Sequence, residues 1–175
     1  MTDPMNALVQ FQEAFDAGFI PVQPGRLDPT ILVANDQPNG RPRFNFMRVD
    51  GERLTVIVMF AQNGLENGCP VFNIGYAVAK GYRGRGLAKA TLVAALAELS
   101  AGLAGAHIPV FHVEAVISPD NLTSQAVACA IFDASPTRIT DSVSGEPALH
   151  YIRAVAFGER QPSADLDASR IAPNI

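Results

Sequence analysis

The six residues Arg83-Gly84-Arg85-Gly86-Leu87-Ala88 constrain this chain more than any others. They separate an apolar run, Phe72 to Ala79, from an Ala/Leu-rich run that ends near Leu103. The first predicts a strand and the second a helix. Two glycines let a backbone turn sharply and approach a ligand closely. The first amides of a helix have no partner inside it, and the helix dipole is positive there. A strand, a Gly/Arg turn and a helix start therefore make an anion site, with a pyrophosphate as the expected anion. Spacing alone leaves a second reading open, a tight turn with exposed arginines. Position 89 is Lys, so no G-x-G-x-x-G pattern is completed, and no Gly-Lys-Ser/Thr follows.

The rest of the chain organises around this unit. Ala7 to Phe19 has helical spacing through Leu8, Phe11, Ala14 and Phe15, and Gly18 is a stop. Pro21 to Pro29 reads as a connector, and Ile31 to Ala34 as a short strand. Arg43–Val49 and Arg53–Ala61 flank Asp50-Gly51, a hairpin signal, and the second run is apolar on both faces, as a central strand is. Gln62 to Pro70 reads as a polar loop, and Gly75 inside the next strand as a bulge or close approach. Ala88, Leu92, Ala95, Leu96, Leu99 and Leu103 form a core stripe on the long helix. Phe111 to Ile117 is a strand. Ser118-Pro119-Asp120-Asn121 turns into a helix from Leu122 to Phe132, and Ile139–Val143 and Ala148–Val155 close the sequence as strands. The expected fold is α/β (α+β), with a mixed sheet flanked by helices. Residues 1–157 read as one domain and 158–175 as a polar tail.

Composition narrows the function classes. The chain has 175 residues, 48% hydrophobic and 17% charged, with a net charge of -4. That excludes a disordered chain and argues against a basic nucleic-acid footprint. Cys69 and Cys129 are the only cysteines, too few for a disulfide framework or a zinc cluster. No metal is expected. The N-terminus lacks a signal pattern, and Lys89, Thr91 and Glu98 interrupt the longest apolar helix, so no membrane span is expected. These features predict a reduced cytoplasmic protein with Cys129 buried on its helix.

Ile74 to Ala88 resembles the core of the GNAT N-acetyltransferases, whose acyl-CoA motif, Gln/Arg-x-x-Gly-x-Gly/Ala, is matched by Arg83, Gly86 and Ala88. Glu114-Ala115-x-x-Ser118-Pro119-x-Asn121-x-x-Ser124 resembles that family's last conserved strand and the helix after it, nearest to the ribosomal-protein-alanine acetyltransferase-like branch. The resemblance implies a mostly antiparallel sheet, splayed at two central parallel strands. It implies acetyl-CoA as cosubstrate. The pyrophosphate would lie on Arg83, Gly84, Arg85, Gly86, Leu87, Ala88 and Lys89, and the pantetheine along Tyr76, Ala77 and Val78. Asn121 would shape its turn and contact the pantetheine.

The implied activity is acetyl transfer to a primary amine, on a small molecule or a protein N-terminus, by direct attack. The Val78 amide would then donate to the oxyanion. Where the family often has Tyr on the second helix this chain has Ala128, beside Cys129. Ser124 remains as a hydrogen-bond donor to sulfur, or as a residue capping a backbone group. Glu114 and His112 point to one face of a strand, where Glu114 would relay a proton; solvated residues on an outer face are the plainer account. Asn73 stands where the family often has an acid, and His150 and Tyr151 read as ordinary strand residues. These departures keep an alternative open, an acyl-CoA-binding protein with little or no catalysis. The last strand carries apolar residues on both faces, and at a sheet edge it would favour a homodimer.

Overall fold

A computed structural model describes residues 4–133 and 135–158. The elements in chain order are α1 (Pro4–Asp16), β1 (Gln23–Pro24), β2 (Leu32–Asp36), β3 (Arg43–Asp50), β4 (Arg53–Glu66), β5 (Cys69–Val78), α2 (Leu87–Gly105), β6 (Val110–Ile117), α3 (Leu122–Phe132), β7 (Thr137–Thr140) and β8 (Pro147–Ala156). The strands form one eight-stranded sheet in the order β1-β2-β3-β4-β5-β6-β8-β7. Among the described residues only β5 and β6 pair in parallel. Of the expected tail, 158–175, only Gly158 falls within this description; residues 159–175 lie outside the described residues.

Alternation along the strands sorts the core into two layers. Phe72 and Ile74 of β5, Phe111, Val113, Ala115 and Ile117 of β6, and Tyr151 and Val155 of β8 are buried beneath α2 and α3. Leu92, Ala95, Leu96, Leu99 and Leu103 of α2 meet them, whereas Ala88 is only half-buried. On the opposite face Leu8 and Phe11 of α1 cover Met47, Leu54, Ile57, Met59 and Ala77. Burying an aliphatic side chain of this size is worth about 1.5–3 kcal/mol, so the two layers drive the fold. By length and composition α2 could cross a membrane, but its apolar stripe is the centre of the larger layer.

Four sequence expectations are corrected. Gln62–Pro70 is not a loop: β4 continues to Glu66, and Asn67-Gly68, at φ 50° and 80°, makes a two-residue hairpin turn into Cys69. Gly75 is not a bulge, because the β4–β5 register runs unbroken from Val56↔Val78 to Gln62↔Phe72 and shifts only between Gln62 and Leu65. The last strand is not at an edge, since β8 pairs with β6 on one side and β7 on the other. The edge falls to four-residue β7, so the premise for pairing subunits through β8 is gone. Cys129, expected to be buried, is exposed.

Candidate active site

The β5–β6 pairing sets the site. It consists of three rungs, Val71↔His112, Phe72↔Val113 and Asn73↔Glu114, and then stops. Both strands continue, β5 to Val78 and β6 to Ile117, while each keeps its antiparallel partner. The sheet therefore opens into a wedge between 74–78 and 115–117. Ala79 donates its amide to the Thr55 carbonyl at 2.8 Å, which fixes the phase of the β4–β5 ladder. In an antiparallel ladder alternate residues face opposite neighbours, so the amides and carbonyls of Tyr76 and Val78 face the wedge and those of Ala77 face β4. Arg83 Nε donates to the Val78 carbonyl at 3.1 Å, as that phase requires.

The glycine turn lies just beyond β5. Gly84 and Gly86 hold φ of 74° and 71°, the left-handed region that favours glycine. Gly86 is the N-cap of α2, no side chain caps the helix, and its first turn holds no acidic residue. The leading amides, from Leu87 to Lys89, are therefore left to an external acceptor. The segment before the turn is anchored: Tyr82 donates its hydroxyl to Asp50 Oδ2 at 2.8 Å, and Arg85 stacks on the Tyr82 ring at 5.4 Å. Both arginines are exposed and fold back on backbone carbonyls, Arg83 on Val78 and Arg85 on Gly81.

On the α2/α3 side, Tyr76 and Ser124 approach one another from β5 and α3. Asn121 Oδ1 accepts the Ser124 amide at 3.0 Å, so Asn121 is the cap and the Ser124 hydroxyl is not. The Tyr76 hydroxyl is out of solvent without a well-formed hydrogen bond. Burial pushes its phenol above the ordinary value, and the nearby Ser124 hydroxyl opposes this only in part. The sequence points only to the Tyr76 backbone; its side chain is not legible there, because nothing local brings position 124 to it. Ala128 is buried in the core, where it cannot stand in for the missing tyrosine.

On the opposite side Glu114 is not a solvated outer-face residue; it is 9% exposed. Its Oε1 accepts Asn63 Nδ2 at 2.5 Å and Asn73 Nδ2 at 3.4 Å, and its Oε2 lies 3.0 Å from His150 Nε2. Asn63 was hidden in the expected loop, and His150 read as an ordinary strand residue. His112 shares this face elsewhere on β6, its Nδ1 buried and without a hydrogen-bond partner among the described residues. Tyr151, the neighbour of His150 on β8, faces the other way into the core. Among the described residues no three His, Cys, Asp or Glu side chains gather as metal ligands.

Solved structures resemble this fold. The RimJ protein of Mycobacterium smegmatis, in complex with CoA-disulfide, superposes with a TM-score of 0.52 at 20% identity, over 91% of this chain and 80% of that one. The chain has the GNAT fold. Two further GNAT-fold structures match at TM-scores below one half. One is a GnaT-family protein of Bordetella pertussis (0.48, 20% identity), where the match spans 65% of each chain. The other is the ribosomal-protein-S5-alanine acetyltransferase of Vibrio fischeri (0.47, 12% identity), over 85% of this chain and 68% of that one. No protein-family model and no curated protein matches the sequence. In this chain the wedge and the uncapped start of α2 lie on either side of the Gly84–Gly86 turn.

Proposed function

We propose that this protein is an acetyl-CoA-dependent N-acetyltransferase acting on a primary amine, on a small molecule or a protein N-terminus. One observation carries the reading. The β5 backbone that faces the wedge leads directly to an uncapped helix start at Gly86. An amide-rich arm that ends in a pyrophosphate fits that combination: strand-like pairing along Tyr76–Val78, then the amides of Leu87–Lys89. Bound there, acetyl-CoA supplies an activated acyl group as a thioester.

The chain's residues then divide the work. The Val78 amide faces the opening and is placed to donate to the carbonyl oxygen as charge develops. Tyr76 and Ser124 stand on the α2/α3 side as hydroxyl donors for the departing sulfur. A phenol held above its ordinary value stays protonated at neutral pH, as an acid must before it donates. The amine enters from the other face, where Glu114 and its partners form a polar centre. A polar cluster this ordered supports turnover over acyl-CoA binding alone. The reading includes one catalytic unit over residues 1–157 and a reducing cytoplasmic setting, supported by free thiols at Cys69 and Cys129.

Calorimetric titration with acetyl-CoA is the test. One-to-one binding, and a melting temperature that rises with ligand concentration, are expected. No binding at millimolar acetyl-CoA by a CoA-free preparation would sink the assignment.

A further inference from the structure

We propose that His150, oriented by Glu114, takes the proton from the attacking amine; this rests on the acyl-transfer reading above. Glu114 is 9% exposed and bonded at both oxygens, by Asn63 at 2.5 Å on Oε1 and by His150 Nε2 at 3.0 Å on Oε2. The amide of Asn63 donates, and an ionised carboxylate only accepts, so Nε2 carries the proton in its contact with Glu114. In the neutral ring the lone pair then sits on Nδ1. Nδ1 makes no hydrogen bond among the described residues, and the His150 side chain is 25% exposed. The carboxylate is enclosed and engaged; the imidazole is accessible and holds a free acceptor.

Placement supports the same assignment. Asn73↔Glu114 is the last rung before β5 and β6 part, and His150 stands opposite Val116, beyond that rung. Its ring is therefore level with the opening, on the face away from α2 and α3. Ile152, on the same strand and face, is 37% exposed, so an amine can reach this part of the sheet. The groups facing His150 are Glu114 from β6, uncharged Thr137 from β7 and, further along β6 opposite Ala154, His112. As the N–C bond forms, His150 Nδ1 takes the N–H proton and the imidazolium faces the Glu114 carboxylate. The electron pair of the breaking C–S bond stays on sulfur, which takes a proton from the Tyr76 or Ser124 hydroxyl. Exchange with water resets both groups. Glu114 is a positioning residue here, since it acts through the ring.

Two measurements test the assignment. Long-range proton–nitrogen NMR of the imidazole near neutral pH should show Nε2 protonated and Nδ1 bare in the wild type, and a mixture of tautomers in Glu114→Gln. This readout needs no acetyl-CoA. Thiol release from acetyl-CoA is then followed with benzylamine, 1,4-diaminobutane and an alanine-initiated tripeptide. His150→Gln should lower kcat/KM about a hundredfold and remove the acid limb of its pH profile, with acetyl-CoA affinity within twofold of wild type. Glu114→Gln should lower kcat/KM about tenfold and keep a displaced acid limb. Undiminished turnover in His150→Gln, or a wild-type ring protonated on Nδ1, overturns the inference alone. A wild type that binds no acetyl-CoA, or releases no thiol with any of the three amines, overturns it together with the acyl-transfer reading.

Discussion

Glu98 and Asp28 are 70 positions apart, and Glu98 Oε1 accepts the Asp28 amide at 2.8 Å. The same carboxylate, buried in α2, also accepts the amides of Arg26 and Leu27. It thus ties the connector before β2 to the helix whose first turn forms the site. Glu98→Ala leaves three amides without their acceptor and should destabilise the fold by about 2–4 kcal/mol. Gly25→Ala strikes the same group, because a Cβ there would lie 2.7 Å from Glu98 Oε1 and 2.5 Å from the Asp28 carbonyl. Urea unfolding checks both. Wild-type stability in either variant would show that the connector is held by other contacts.

Gly86 tests the anion site. At φ 71° any other residue is strained, so Gly86→Ala should cost about 1 kcal/mol yet leave the amides in place. Gly86→Asp adds a carboxylate beside the amides proposed to hold the pyrophosphate, and should abolish the thermal shift with acetyl-CoA. A folded Gly86→Asp variant that kept its affinity would place the phosphates elsewhere.

Tyr76 and Ser124 share the α2/α3 side of the wedge, and their variants separate packing from catalysis. Tyr76→Phe removes a buried hydroxyl that has no well-formed partner, so stability should hold or rise by up to about 1 kcal/mol. Its kcat should fall about tenfold or more, with acetyl-CoA affinity kept. Ser124→Ala should act in the same direction, and the double variant should lose less than the sum if the hydroxyls cooperate. Unchanged kcat in both single variants would return them to packing roles.

Asp36 makes acid stability measurable. Burial opposes its ionisation, but hydrogen bonds from Arg43 and Asn45, with the Arg43 charge, outweigh burial and hold the carboxyl below the usual range. A carboxyl depressed in the folded state contributes stability above its unfolded pKa, and loses it as pH falls through the folded one. Thermal melts from about pH 6 to pH 2 should therefore show a decline that is shallower in Asp36→Asn, beginning near the usual carboxylate pKa of about 4. Parallel profiles for the two proteins would show that the pair contributes nothing to folding.

The sequence by itself determined what neighbouring residues decide. Gly51 turns the β3–β4 hairpin at Gly51-Glu52, one position on from the expected Asp50-Gly51, the 2.0 and 3.6 periods assign the strands and helices, and Gly84 and Gly86 dictate the backbone before α2. The start of α2 was legible because its amides and its glycines are adjacent in the chain. Even the misread loop at 62–70 held its signal, since Asn67-Gly68 is a hairpin turn flanked by residues that extend both strands. Only the tertiary structure decided which strands are neighbours. Alternation says that Glu114 and His150 each face one side of a strand, not that β8 lies beside β6 in a register that brings them to 3.0 Å. Asn63 meets Glu114 across 51 positions, and Tyr76 meets Ser124 across the wedge, for the same reason. Such contacts follow from the closure of long loops and from which apolar faces bury each other, and no short window of sequence holds that information.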